Sequence, residues 1–288
     1  MFFKHTVLTA AVALGLSAPV AIADSDGGTL EKIAASGEIV IGHRESSVPF
    51  AYLDGNQQAV GYSIDLCMKI VDAVAAELDQ ELTIKYVPVN PKTRIALMAN
   101  GTIDLECGST TNNLTRQQQV EYLPVTFVTG TKILTRKDSG INSVADLDGK
   151  TVAVAQGTTN ERALLAAIDA AGLEVKILPV RDIAEGMLSL ETDRVDAYSS
   201  DHILLHGAVT KSKSPDDYAV VGDFLSFDPY ALMVRRDDSA FELIGKKALA
   251  EVFRSGEIEA IYAKWFDPLG VPADPLLQAA FRLGALPE

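Results

Sequence analysis

Hydroxyl side chains at Ser109, Thr110 and Thr111 stand shortly before Arg116, within Cys107-Gly-Ser-Thr-Thr-Asn-Asn-Leu-Thr-Arg116. A strand-like run over residues 102–106 delivers this stretch, and a helix-like run over 117–120 leaves it. Hydroxyls and free backbone N–H groups at a strand-to-helix corner attract an anion. An arginine adds a planar fork that grips a carboxylate with two hydrogen bonds. No nucleophile is paired with a base here, and the chain has no G-x-S-x-G elbow, P-loop or G-x-G-x-x-G. The expected chemistry is holding a carboxylate, not breaking a bond. Of His5, His43, His202 and His206, only His202 and His206 share a helical i, i+4 spacing, and no HExxH surrounds them. Neither a metal nor a cofactor is expected.

The elements that must position this stretch alternate between the two periods. Residues 38–42 read as a buried strand, and 62–78 as a helix with Leu66, Ile70, Val71 and Val74 on one face. A strand over 82–87, a helix over 93–100 stopped by Gly101 and the strand over 102–106 follow. Beyond Thr126 the alternation restarts. Strands are expected over 131–135, 151–155, 175–178 and 196–199, with helices over 161–171 and 183–192 between them. Residues 230–234 extend back, and 241–265 read as one amphipathic helix. Strand–helix alternation implies parallel α/β sheets. Two such units with the second embedded in the first predict two lobes: residues 24–130 with 229–288, and 131–228 inserted. Two crossing strands at a hinge, near 127–135 and 224–233, would leave a cleft between them. Ligands of open α/β sheets bind beyond the carboxyl ends of the strands.

The first residues carry Lys4 and His5, an apolar run over 7–16 and then Ala21-Ile-Ala23. This is the pattern of a secretory signal peptide over residues 1–23, and the run is too short for a membrane anchor. A net charge of -14 argues against any general affinity for nucleic acid. Export places Cys67 and Cys107, the only cysteines, in an oxidising compartment. Cys67 falls on an expected helix and Cys107 at the end of an expected strand, so a disulfide is favoured over two buried thiols.

Several segments in register resemble one family. They are Gly61-Tyr-Ser-Ile-Asp65, Ile103-Asp-Leu-Glu-Cys-Gly-Ser109 through Arg116, Leu147-Asp-Gly-Lys150, Gln156-Gly-Thr-Thr159 and Val195-Asp-Ala-Tyr-Ser-Ser-Asp201. Together they resemble the exported amino-acid-binding proteins of ABC importers, solute-binding protein family 3, over about residues 30–265. The loop His43-Arg-Glu-Ser-Ser-Val-Pro-Phe50 and the run Glu106-Cys-Gly-Ser-Thr-Thr-Asn-Asn113 most resemble the glutamate/aspartate-binding branch. The resemblance implies a type II periplasmic-binding-protein fold, a monomer in the periplasm and an ABC permease partner in the inner membrane. It implies no cofactor and no catalysis. It also implies that Arg116, with Ser109, Thr111, Thr158 and Thr159, clamps the ligand α-carboxylate, and that Asp201 receives the α-ammonium. Arg44 and Arg94 would face a distal carboxylate, which their mutual repulsion also favours. Two positions depart from the pattern: Pro91 replaces a serine expected near Arg94, and Ile183 replaces a histidine of some relatives. Both losses keep glutamine or asparagine as the alternative ligand. An enzyme on the same scaffold, such as a cyclohexadienyl dehydratase, would need an acid–base group, for which Glu45 is the obvious residue.

Plainer roles compete for each residue. Arg44 would otherwise pair on the surface with Glu45 or Asp54, and Arg116 with Glu121. Asp201 would cap the helix that begins at His202, and Thr158 or Thr159 the helix around Glu161. Tyr62 reads as structural, and Phe50 as a pocket wall or a core residue.

Overall fold

The computed structural model describes residues 28–287, so the expected signal peptide over 1–23 lies outside the described residues. The chain begins with α1 (Thr29–Ser36) and β1 (Glu38–His43), then β2 (Ser46–Ser47), β3 (Ala51–Leu53) and β4 (Ala59–Val60). Next come α2 (Tyr62–Leu78), β5 (Thr83–Pro88), α3 (Arg94–Ala99), β6 (Leu105–Cys107) and β7 (Val120–Thr129). The second half runs β8 (Thr131–Arg136), β9 (Thr151–Ala155), α4 (Thr159–Ala171), β10 (Lys176–Val180) and α5 (Ile183–Glu191). It continues with β11 (Ala197–Asp201), α6 (His202–Lys211), β12 (Tyr218–Val221) and β13 (Asp228–Arg235). Helices α7 (Ser239–Arg254), α8 (Glu257–Phe266) and α9 (Pro275–Gly284) close it.

Two five-stranded sheets build the two lobes. Their orders are β5-β1-β6-β13-β7 and β10-β9-β11-β8-β12. Strand β1 is buried along almost its whole length, which is why its sequence is a continuous apolar run without alternation. On α2 the stripe of Leu66, Ile70, Val71 and Val74 is buried, as its period predicts. The sheets are mixed, not wholly parallel. β13 runs antiparallel to β6 and β7, and β8 antiparallel to β11 and β12, because these strands belong to the passages between lobes.

Those passages lie side by side. Thr129 pairs with Asp228, the Thr131 N–H donates to Ser226 Oγ at 3.0 Å, and the Leu225 N–H donates to the Thr131 carbonyl at 2.9 Å. Gly130 sits where a Cβ would collide with the Ser226 backbone carbonyl, so only glycine permits this approach. Beneath the crossing, Phe50 is fully buried against Phe127, Tyr230 and Phe266, with ring centroids 5.0, 5.1 and 5.6 Å away. Phe50 is thus a core residue under the hinge. Tyr62 is also buried, and its hydroxyl donates to the Thr126 carbonyl at 2.8 Å.

Two further sequence expectations are corrected. The expected helix over 241–265 is two helices, because Gly256 at φ 78° ends one and starts the other. The run after Thr115 is a single 3-10 turn, Arg116–Gln118, and Val120 already belongs to β7. No α-helix N-terminus therefore stands at that corner.

Cys67 on α2 and Cys107 at the end of β6 form a disulfide with Cα atoms 6.1 Å apart, both fully buried. The bridge encloses a separation of 40 residues, for which chain-entropy reasoning gives about 4 kcal/mol. Replacing both cysteines with alanine is expected to lower the unfolding free energy by about that amount in urea titrations. A loss under about 1 kcal/mol would show that the bridge constrains the unfolded chain little.

Candidate functional site

A small cavity lies between the lobes. It collects the carboxyl ends of strands from both sheets. From the first lobe come Arg44 after β1, Pro91 and Arg94 at the start of α3, and Ser109 and Thr111 after β6. From the second come Thr158, Thr159 and Asn160 after β9, Ile183 at the start of α5, and Ser200 and Asp201 at the end of β11. The cavity thus gathers Arg44, Arg94, Ser109, Thr111, Thr158, Thr159 and Asp201 from distant parts of the sequence. Arg116 is not part of its lining. Pro91 and Ile183, the positions without the expected polar groups, do line it.

One end is basic. Arg44 is 3% exposed, and its guanidinium makes no hydrogen bond or ion pair with any described residue. Neither Glu45 nor Asp54 is its partner. Burial, and then the facing Arg94, pushes its pKa down to about 10. Arg94, equally buried, donates to the Ser109 carbonyl at 3.3 Å and stands 3.9 Å from the Glu106 carboxylate. Its Nε and the Ser109 hydroxyl have no partner among the described residues. Buried polar groups left without partners are costly and rare in folded proteins. Arg94 Nε and the Ser109 hydroxyl are two such groups at this cavity, and both can donate to a carboxylate.

Arg116 occupies the seam between the lobes. It donates to the Thr111 carbonyl at 2.7 Å and, from the other lobe, to the Gly157 carbonyl at 3.3 Å. Glu121 does not pair with it; its carboxylate accepts from the Tyr122 N–H at 2.9 Å. Burial, and then Arg94, pushes the Arg116 pKa down to about 10. Two backbone carbonyls leave further guanidinium donors for an anion at the seam.

The other end is acidic. Asp201 is 4% exposed and does not cap α6 with its side chain. Instead its carboxylate accepts from Asn160 Nδ2 at 3.0 Å and from the Tyr230 hydroxyl at 2.5 Å. Burial, and then Asp228, pushes its pKa up to about 7. Thr111 Oγ1 lies 3.2 Å from Thr159 Oγ1 across the cleft and donates to Asp228 at 3.1 Å. Thr158 caps α4: its hydroxyl accepts from the Glu161 N–H and donates to the Ala155 carbonyl. Its side chain is therefore committed to the fold, and Thr159 has the freer hydroxyl.

Asp228, Tyr230, Asn160 and Glu106 are residues in contact with the candidate site that sequence reasoning missed. Ser226-Phe-Asp228-Pro-Tyr230 carried a signal, since polar side chains alternate there in a crossing strand. His202 and His206 meet edge to face with ring centroids 4.6 Å apart, and no cluster suited to a metal occurs among the described residues.

Two α/β lobes, paired crossing strands and a cleft with opposite charges at its ends define a two-lobed solute-binding protein. The chain belongs to the bacterial extracellular solute-binding proteins, family 3, whose sequence profile matches residues 39–268. It is 45% identical over 260 residues to an L-glutamate/L-aspartate-binding protein of Pseudomonas aeruginosa, covering 90% of this chain and 86% of that protein. It is 43% identical over 263 residues to a glutamate/aspartate import solute-binding protein of Escherichia coli K12, covering 90% and 87%. Among solved structures, a mutant of ArgBP from T. maritima superposes with a TM-score of 0.72 at 27% identity, covering 83% of this chain and 99% of that one. These relatives are solute-binding proteins, not enzymes. Glu45, the acid–base group an enzyme would need, faces a separate surface groove with Asp54 and Lys211.

Proposed function

We propose that this protein captures glutamate or aspartate in the interlobe cavity and delivers it to an ABC permease in the inner membrane. It does so as a periplasmic monomer, after removal of residues 1–23. The lobes comprise residues 24–130 with 229–288, and 131–228. The observation that carries the reading is the buried, unpaired Arg44 guanidinium beside Arg94. Two facing arginines repel in a low-dielectric site, and a ligand carboxylate between them removes that cost. The printed names of the Pseudomonas and Escherichia relatives support the same ligands.

In this reading, Arg116, Ser109 and Thr111 receive the α-carboxylate with the Gly157 to Thr159 turn, and Asp201 receives the ammonium. Arg44 and Arg94 receive the distal carboxylate. Closure is a population shift toward contacts available only when the lobes meet, such as Thr111 with Thr159 and Arg116 with Gly157. A second reading, glutamine or asparagine, is favoured by Pro91 and Ile183, whose side chains put no polar group on the distal wall.

The test is calorimetric titration of ligand-stripped protein with glutamate, aspartate, glutamine and asparagine, repeated on Arg44→Met. The acids are expected to bind most tightly, and the substitution to weaken them at least tenfold more than their amides. Equal losses for glutamate and glutamine would remove Arg44 from the distal carboxylate. A wild-type preference for the amides would overturn the acidic reading.

A further inference from the structure

An anion stands behind the basic end of the cavity. Glu106 lies on β6, between β1 and β13 in the first sheet, and is fully buried. One carboxylate oxygen accepts from the Thr110 hydroxyl at 2.7 Å, while the other has no hydrogen-bond partner and stands 3.9 Å from Arg94. Its charge acts on Arg44 and on Arg116 as well. Gly108 makes room for it, since a Cβ at that position would collide with the carboxylate. A glutamate inside a sheet, far from water and only partly hydrogen-bonded, is a costly group to keep. It has no part in the ligand contacts described above.

We infer that Glu106 sets the cavity's preference between acidic and neutral ligands, as the internal counter-ion of Arg44, Arg94 and Arg116. The inference rests on the reading of the cavity as an amino-acid site. Three guanidinium charges less one carboxylate leave a surplus of two positive charges. An acidic amino acid brings two carboxylates, an amide only one, and the ligand ammonium is matched separately by Asp201. Specificity is a difference between two affinities, and the surplus fixes that difference. Were Glu106 neutral, the surplus would be three, and a neutral side chain would leave more repulsion unrelieved than a carboxylate would. Glu106 is therefore a positioning residue that acts through the arginines and does not touch the ligand.

The experiment compares Kd for glutamine with Kd for glutamate in wild type, Glu106→Gln and Glu106→Asp. Glutamine at position 106 keeps an acceptor for Thr110 and removes only the charge. Its ratio is expected to rise at least tenfold, whereas aspartate at that position keeps the wild-type ratio. A merely structural Glu106 would weaken both ligands equally, and an unchanged ratio in Glu106→Gln would overturn the inference. Should that variant not fold, Arg94→Gln with and without Glu106→Gln reads the same quantity, because removing both charges leaves fewer buried ions unpaired. In that pair the ratio is again expected to rise when Glu106 is neutralised. The two readings fail differently. A wild type that prefers amides sinks the acidic assignment, yet Glu106→Gln must still shift the ratio toward the acid. A wild type that binds none of the four ligands overturns both.

Discussion

Replacing Arg116 with alanine is expected to lower the affinity for glutamate, aspartate and their amides alike by a hundredfold or more, about 3 kcal/mol. Two losses combine. The α-carboxylate common to all four ligands loses a charged donor, for which removal costs about 1.5–3 kcal/mol. The lobes also lose a bridge, because Arg116 links the Thr111 carbonyl to the Gly157 carbonyl across the cleft. Arg116→Lys is expected to recover part of the loss at most, since an ammonium cannot reproduce the planar fork that serves two carbonyls and an anion together. The contrast with Arg44 is the diagnostic. Arg44→Met separates acids from amides, whereas Arg116→Ala must not. An Arg116→Ala protein that binds within threefold of wild type in calorimetry would remove Arg116 from the α-carboxylate.

Much of the fold was legible because its signals are local. The stripe on α2 and the apolar run of β1 follow from burial on one face or on both, and each is written in consecutive residues. What escaped depends on the third dimension. Val120 reads as the end of a helical run, yet it pairs in β7 with Arg235, a residue far along the chain. The antiparallel passages follow from where the chain re-enters the first sheet, which strand–helix alternation does not encode. Gly256 would have been a visible break, but the apolar period carries through it and hides the change of axis.

The candidate site was legible for a different reason. Arg44, Ser109, Thr111 and Asp201 sit in segments whose order resembles a known family, and with Arg94 they come to line one cavity. Residues that act on them from behind give no such signal. Tyr230 and Asn160 hold the Asp201 carboxylate, and Glu106 sits behind Arg94, each as an ordinary residue of a strand or helix start. Thr158 shows the converse, since its motif is genuine while its hydroxyl serves the α4 cap.

Affinity is expected to fall about tenfold per pH unit as the solution is acidified below pH 7, reaching about a hundredfold at pH 5, through Asp201. In the unliganded protein, burial and Asp228 hold its pKa at about 7. The ligand ammonium needs the ionised carboxylate, so a protonated Asp201 must release its proton before binding. The distal carboxylate of a free acidic ligand titrates near 4.3, below this window. His202, pushed down to about 4 by burial and by His206, titrates below this window. Stability of the unliganded protein is expected to move the opposite way. A carboxylate whose pKa is raised by folding binds protons more tightly when folded, so acidification from pH 7 toward 4 stabilises the fold while it weakens the ligand. This opposition distinguishes Asp201 from a general acid-induced loosening, which would lower both together. Asp201→Asn keeps the shape and removes the titration. Its affinity is expected to fall at least a hundredfold at pH 8, with no further slope down to pH 5. A wild-type affinity constant between pH 8 and pH 5, or a slope that persists in Asp201→Asn, would place the ammonium on another carboxylate, for which Asp228, 3.1 Å from the Thr111 hydroxyl, is the nearest choice.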